Sequence, residues 1–117
     1  MAEHNKTGFA GEEMAARFLT QKGYSILARN FRYKRAEVDL IARLNNLLVF
    51  VEVKTRSTLK YGYPEEFVSR RKVELFQEAA EEYIHQINWP HDIRFDIIAV
   101  TTSGNEYSCY HIEDAFH

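Results

Sequence analysis

The stretch Glu37-Val38-Asp39-Leu40-Ile41-Ala42-Arg43-Leu44-Asn45-Asn46-Leu47-Leu48-Val49-Phe50-Val51-Glu52-Val53-Lys54 holds two apolar runs around a pair of asparagines. Residues 37–43 and 47–56 read as strands rich in β-branched and aromatic side chains. Asn45-Asn46 suits the left-handed conformation of a two-residue hairpin turn. Centring the turn there makes facing residue numbers sum to a constant. Leu44 then faces Leu47, Ala42 faces Val49, Leu40 faces Val51 and Val38 faces Val53. The last three pairs predict one continuous core-facing surface. The opposite face would pair Ile41 with Phe50, Asp39 with Glu52 and Glu37 with Lys54, bringing all the charge of the paired segment to one side.

Facing carboxylates repel, and burial worsens the repulsion. Protonation, a cationic partner or a bound metal relieves it. Oxygen ligands of this kind suit a hard cation, Mg²⁺ or Mn²⁺. Lys54, two residues from Glu52, would orient or activate a water there, or stabilise charge building on a phosphate. The alternative is an ordinary Glu37–Lys54 cross-strand ion pair, with Asp39 and Glu52 on a solvated sheet face.

Working outward, Ala10, Met14, Ala15, Phe18 and Leu19 fall at helical spacing within residues 7–22, and Gly23 supplies the stop. A strand is expected over 24–32. Residues 57–68, with Gly62 and Pro64, read as a loop. A second helix is expected over 69–87, with Val73, Phe76, Ala80, Tyr83, Ile84 and Ile87 on one side and Glu74, Glu78, Glu81 and Glu82 on the other. Trp89-Pro90 ends it. Strands at 93–101 and 106–112 flank a turn at 103–105. The expectation is one α/β domain over 1–117, in the order α-β-β-β-α-β-β.

Length and charge narrow the function. The chain has 117 residues, 45% of them apolar, enough for one core. No apolar run approaches the roughly 20 residues of a membrane helix, and the N-terminus lacks a secretory signal's apolar stretch. The lone Cys109 excludes an internal disulfide or a CxxC site and should pack as a small apolar residue; a cytoplasmic protein is expected. The five histidines lack zinc-ligand spacing. The formal charge of −2 conceals a split. Residues 29–72 hold eleven of the fifteen basic residues but five of the seventeen acids. Clustered basic charge is what a phosphate backbone requires, although a solvated face has the same composition. Tyr61, Tyr63 and Phe67 in the loop would cover core or stack on a splayed base.

Asp39 followed by Glu52-Val53-Lys54 resembles the restriction-endonuclease-like superfamily, whose signature is an Asp and then (Asp/Glu)-x-Lys on the next strand. The chain more closely resembles the YraN-like family of small bacterial proteins, themselves similar to archaeal Holliday-junction resolvases. The likeness runs through Gly8-Phe9-Ala10-Gly11-Glu12, Glu37-Val38-Asp39-Leu40-Ile41-Ala42 and Phe50-Val51-Glu52-Val53-Lys54-Thr55-Arg56. It continues in Arg94-Phe95-Asp96 and His111-Ile112-Glu113-Asp114-Ala115-Phe116. Ala36 departs from it, for the family usually has Gly there; were a positive φ needed, Ala would cost stability.

The resemblance implies a restriction-endonuclease-like fold, a central mixed five-stranded sheet flanked by helices. It implies a Mg²⁺- or Mn²⁺-dependent endonuclease acting on DNA, at branched structures such as Holliday junctions, and by analogy a homodimer. Asp39, Glu52 and the Val53 carbonyl would hold the metal. Glu12, from the first helix, and Glu37 would complete the acidic shell around Lys54. Arg32, Lys34, Arg35, Arg56 and Lys72 would contact the nucleic-acid backbone. Two other classes remain open: a non-catalytic nucleic-acid-binding or assembly module on the same fold, and an interaction protein whose acidic second helix docks a partner.

Overall fold

The computed structural model describes residues 3–56 and 69–116. Its elements are α1 (Glu3–Gln21), β1 (Ser25–Tyr33), β2 (Ala36–Leu44), β3 (Leu47–Arg56), α2 (Arg70–Ile87), β4 (Asp92–Ser103) and β5 (Glu106–Ile112). The order is the one the hydrophobic patterning predicts. The five strands form one mixed sheet in chain order, with β3 and β4 parallel and the other neighbours antiparallel. A parallel neighbour requires a crossover, and α2 lies on it. Tyr61, Tyr63 and Phe67 lie outside the described residues.

Local chemistry sets the element ends. Gly23 takes φ +97° after α1, and Tyr24 N–H donates back to the Leu19 carbonyl, closing the helix. Ser69 caps α2 by accepting from the Lys72 N–H at 3.0 Å. Asn88, left-handed at φ 52°, ends that helix one residue before Trp89-Pro90. Asn45 takes φ 54° in the β2–β3 turn. Ala36 is buried and is not among the positive-φ residues, so it carries no backbone penalty; Lys34, at φ 55°, makes the turn instead.

The β2–β3 register matches the expectation from Leu44↔Leu47 to Leu40↔Val51. Two expectations about the hairpin fail. First, both faces of the hairpin are core. Leu40, Ala42, Val49 and Val51 pack with Ala15, Ala16 and Leu19 of α1, whereas Ile41, Leu48 and Phe50 pack with Phe76, Ala79 and Ala80 of α2. A sheet covered on both sides needs continuous apolar runs rather than alternation, and that is what β3 contains. On α2, Ile87 is exposed instead of joining the apolar side.

Second, β2 loses step at Asp39. Residues two apart on a strand share a face, yet Val38 packs on the α2 side and Leu40 on the α1 side. The β1–β2 ladder also runs from Arg29↔Leu40 to Phe31↔Val38 with no pair between, and Asn30 takes φ 52°. The ladder between β2 and β3 stops at Leu40↔Val51. The expected pairs Val38–Val53, Asp39–Glu52 and Glu37–Lys54 therefore do not form. The slip also moves Val38 off the predicted common surface.

At the other end of the α1-side core, Asp96 is fully buried. Arg94 grips both its oxygens at 2.8 Å, His111 Nε2 lies 2.7 Å from Oδ2, and Asp114 N–H donates to Oδ1 at 3.1 Å. Burial alone would raise this carboxyl's pKa. The His111 and Arg94 contacts and the Asp114 amide outweigh it and hold the pKa below the ordinary value. Arg94 also donates to the Tyr24 hydroxyl, so the cluster ties the end of α1 to β4 and to the closing segment. Phe116 there packs edge-on against Phe76. Cys109 packs against the same α1-side core, as a small apolar residue would.

Candidate active site

The slip in β2 builds the site. Val53 would have given its N–H to the Val38 carbonyl in a continuous ladder. It donates instead to Asp39 Oδ2 at 2.7 Å, so the carboxylate takes the place of a backbone acceptor in the opening between β2 and β3. A strand residue that exchanges bonds with a neighbour directs N–H and C=O to the same side. The Val53 carbonyl accordingly turns toward the same opening.

Glu52 and Lys54 follow Phe50 on the α2 side of β3. Glu52 is 6% exposed; Lys72 Nζ, from the first turn of α2, donates to its Oε1 at 2.8 Å, and Lys54 Nζ lies 3.8 Å from the same atom. Glu37, next to Val38, belongs to the α1 side of the slipped strand. It meets Arg32 at 3.3 Å and, through Asn30, Glu12 of α1. With its amide nitrogen turned toward the carboxylates, Asn30 donates to Glu12 Oε1 at 3.1 Å and to Glu37 Oε1 at 3.0 Å. The charges thus do not share one face as expected. Glu12 and Glu37 lie on one side, Glu52 and Lys54 on the other, and Asp39 between them.

Glu12 reaches this position because Gly11 lets α1 approach β3. A Cβ at Gly11 would run into the hydroxyl of Thr55, with the rest of that side chain close behind. The Gly11-Glu12 pair thus has a steric meaning.

The electrostatics follow from this crowding. Burial, then the Glu52 charge, pushes the Asp39 carboxyl up to about 7; the Val53 N–H opposes this, and Glu12 and Glu37 add to it. Burial raises the Glu12 carboxyl too, with the Asn30 bond opposing and Glu37 adding. Burial and then the neighbouring Lys72 charge lower the Lys54 ammonium pKa, against the pull of Glu52. For Lys72, burial works downward, but its bond to Glu52 and that carboxylate's charge leave the pKa raised.

A cleft of about 410 Å³ opens beside these groups, lined on the sheet side by Arg35, Glu37, Asp39 and Glu52 and on the helix side by Ser69, Arg71, Lys72 and Phe76. The first turn of α2 carries no acid. Three consecutive basic residues at a helix N-terminus oppose the helix dipole, which favours anions there. Arg70 and Arg71 are drawn toward Glu74. Of the expected backbone contacts, Arg35 and Lys72 line the cleft. Arg32 is tied to Glu37, and Arg56 ends β3 beyond Lys54. Lys34 borders a separate hollow with Tyr33, Glu78, Glu81 and Glu82, so it is not grouped with the site. Sequence reasoning missed Asn30 and Ser69, and held Arg71 only as part of the basic block of residues 29–72. A lone Asn inside an otherwise regular strand run was the available signal for the first, because Asn tolerates the left-handed region.

The donors around Asp39 suit a hard cation in part. Two carboxylates and a backbone carbonyl with waters make an ordinary Mg²⁺ environment. Burial and the neighbouring Glu52, Glu12 and Glu37 charges disfavour the ionised form of Asp39. Among the described residues, however, no three carboxylate, His or Cys side chains converge in a ligating arrangement.

The family model described as Uncharacterised protein family UPF0102 matches residues 11–100. The chain belongs to the UPF0102 family. Among its relatives, a UPF0102 protein of Flavobacterium psychrophilum is 47% identical over 117 residues, covering 100% of this chain and 98% of its own. One from Cytophaga hutchinsonii is 50% identical over 99 residues, covering 85% and 88%. One from Alkaliphilus oremlandii is 39% identical over 118 residues, covering 97% and 99%. The UPF0102 match spans α1 from Gly11, the β2–β3 opening, α2 and most of β4, so every site element falls within it. Among the described residues, no helix of this UPF0102 member is long and apolar enough to cross a membrane.

Proposed function

We propose that this UPF0102 member is a Mg²⁺- or Mn²⁺-dependent endonuclease that hydrolyses phosphodiester bonds of DNA, with branched, Holliday-junction-like structures as the preferred substrate. The observation that carries the reading is Asp39. Its carboxylate leaves the sheet ladder, takes the Val53 N–H in the opening between β2 and β3, and lies buried among the charges of Glu52, Glu12 and Glu37. Asp39, Glu52 and the Val53 carbonyl would hold the ion, which when bound supplies Lewis-acid polarisation of a phosphoryl oxygen and acidifies a water. Lys54 orients the attacking water or neutralises charge on the pentavalent phosphorus as the water oxygen adds, the bond to the leaving sugar oxygen breaks and a proton passes to that oxygen. Glu12 and Glu37 complete the acidic shell. Lys72, Arg71 and Arg35 line the cleft with the cationic groups a phosphate needs, and Arg32 and Arg56, outside the cleft, would contact the backbone beyond it.

One observation favours a second reading, a nucleic-acid-binding or assembly module without hydrolysis. Lys72 already neutralises Glu52 at 2.8 Å, and a metal ion would have to displace it. Incubating the protein with linear, single-stranded, flap and four-way DNA in Mg²⁺ or Mn²⁺ separates the two. Cleavage abolished by Asp39→Ala and Lys54→Ala supports the nuclease. Salt-sensitive binding with intact DNA supports the module, and absence of binding removes both. Dimerisation, expected if the substrate has two-fold symmetry, is measured by sedimentation with and without four-way DNA.

A further inference from the structure

Asn30 belongs to no catalytic signature, yet two independent features of the structure converge on it. Its backbone is left-handed at φ 52°, and it stands at the gap in the β1–β2 ladder opposite Asp39. That gap is where β2 changes step and Asp39 is freed to take the Val53 N–H. Its carboxamide meanwhile donates to both Glu12 and Glu37, joining a carboxylate of α1 to one of β2. Two like charges held close repel unless a donor lies between them, and Asn30 is the donor. Asn suits both duties, because it tolerates the left-handed region better than other residues with a side chain and offers two N–H groups.

We infer that Asn30 is a positioning residue of the metal centre: its backbone opens the sheet for Asp39, and its amide clamps Glu12 and Glu37 into one acidic shell. The metal-dependent part of this inference rests on the nuclease reading; the clamp itself does not. Asn30 is solvent-exposed, so its side chain contributes little to the core, and its effect on the site separates from any effect on folding.

The test uses the full chain with Asn30→Gly, which keeps the left-handed backbone and removes the amide, alongside Asn30→Ala and Glu12→Gln. Calorimetric titration with Mn²⁺ should show Asn30→Gly binding roughly 10-fold or more weakly, the usual loss when a group supporting the residues around a metal is removed. Urea midpoints should stay near wild type for Asn30→Gly and fall for Asn30→Ala, which strains the left-handed backbone. Combining Asn30→Gly with Glu12→Gln should weaken binding by less than the product of the single effects, because the two act through one contact. Unchanged Mn²⁺ affinity in Asn30→Gly, or strictly multiplicative effects, overturns the inference. A metal-free arm keeps the two readings apart. The Asn30 side-chain amide protons should be shifted and slow to exchange in NMR spectra, and Glu12→Gln should move them. If wild type binds no Mn²⁺ but this signature is present, the nuclease reading fails and the clamp stands; if the signature is absent, the clamp fails.

Discussion

Replacing Asp39 with Asn removes a charge that the fold holds at a cost. In the native protein the carboxyl titrates at about 7, against an ordinary value of 3.8. Between those values the native state binds a proton that the unfolded chain has released, so stability falls as pH rises from about 4 to about 7 and stays low above that. At roughly 1.4 kcal/mol per pH unit, the full span corresponds to at most ~4 kcal/mol. The Asn carbonyl can still accept the Val53 N–H, and the uncharged amide removes the repulsion from Glu52, Glu12 and Glu37. Asp39→Asn should therefore approach wild type only below about pH 4 and gain progressively to pH 8, by up to ~4 kcal/mol. For a urea m-value of about 2 kcal/mol/M, that is a midpoint shift of roughly 2 M. Paired urea titrations every half pH unit measure it. Saturating Mn²⁺ should then stabilise wild type, by about 2.7 kcal/mol at a hundred times Kd, and leave the variant unmoved. A variant less stable than wild type at pH 8, or a difference independent of pH, would refute the reasoning that Asp39 is a strained, functional carboxylate.

Three other outcomes are expected. Gly11→Ala should lose about 1–3 kcal/mol by overpacking against Thr55, despite the ~1 kcal/mol that Ala ordinarily gains inside a helix, and should weaken Mn²⁺ binding by moving Glu12; thermal melts and calorimetry read both. Lys72→Ala should tighten Mn²⁺ binding by removing the competitor for Glu52 while weakening DNA binding and its salt dependence. Its metal-free stability should drop by only about 1 kcal/mol, because Lys72 is half exposed and Lys54 remains near Glu52. Asp96→Ala should cost about 3–5 kcal/mol, since it strands Arg94 and His111 beside an empty buried position. With its pKa lowered in the folded state, Asp96 contributes stability that is present above the ordinary carboxylate range and lost as pH falls through the folded value. Asp96→Ala should therefore flatten the acid limb of the stability profile in a urea series.

The sequence alone determined the element order, the Asn45-Asn46 turn and the first part of the hairpin register. These depend on local rules: turn residues that accept left-handed backbone, helix caps, and apolar periodicity. It also named Asp39, Glu52 and Lys54, because signature spacing survives whatever the strands do beyond Leu40 and Val51. What only the tertiary structure decided begins at Asp39. Strict alternation put its carboxylate opposite Glu52 and put Glu37 beside Lys54. The left-handed Asn30 on the neighbouring strand broke that alternation and turned Asp39 toward the Val53 amide. A change of step is invisible to periodicity because it arises between strands, not along one. The same holds for the two-sided core, which needs α1 and α2 on opposite faces of the sheet, and for Lys72, brought to Glu52 across twenty residues of chain by the packing of α2. Local chemistry chose the strands and their carboxylates; the contacts between elements decided which way those carboxylates point.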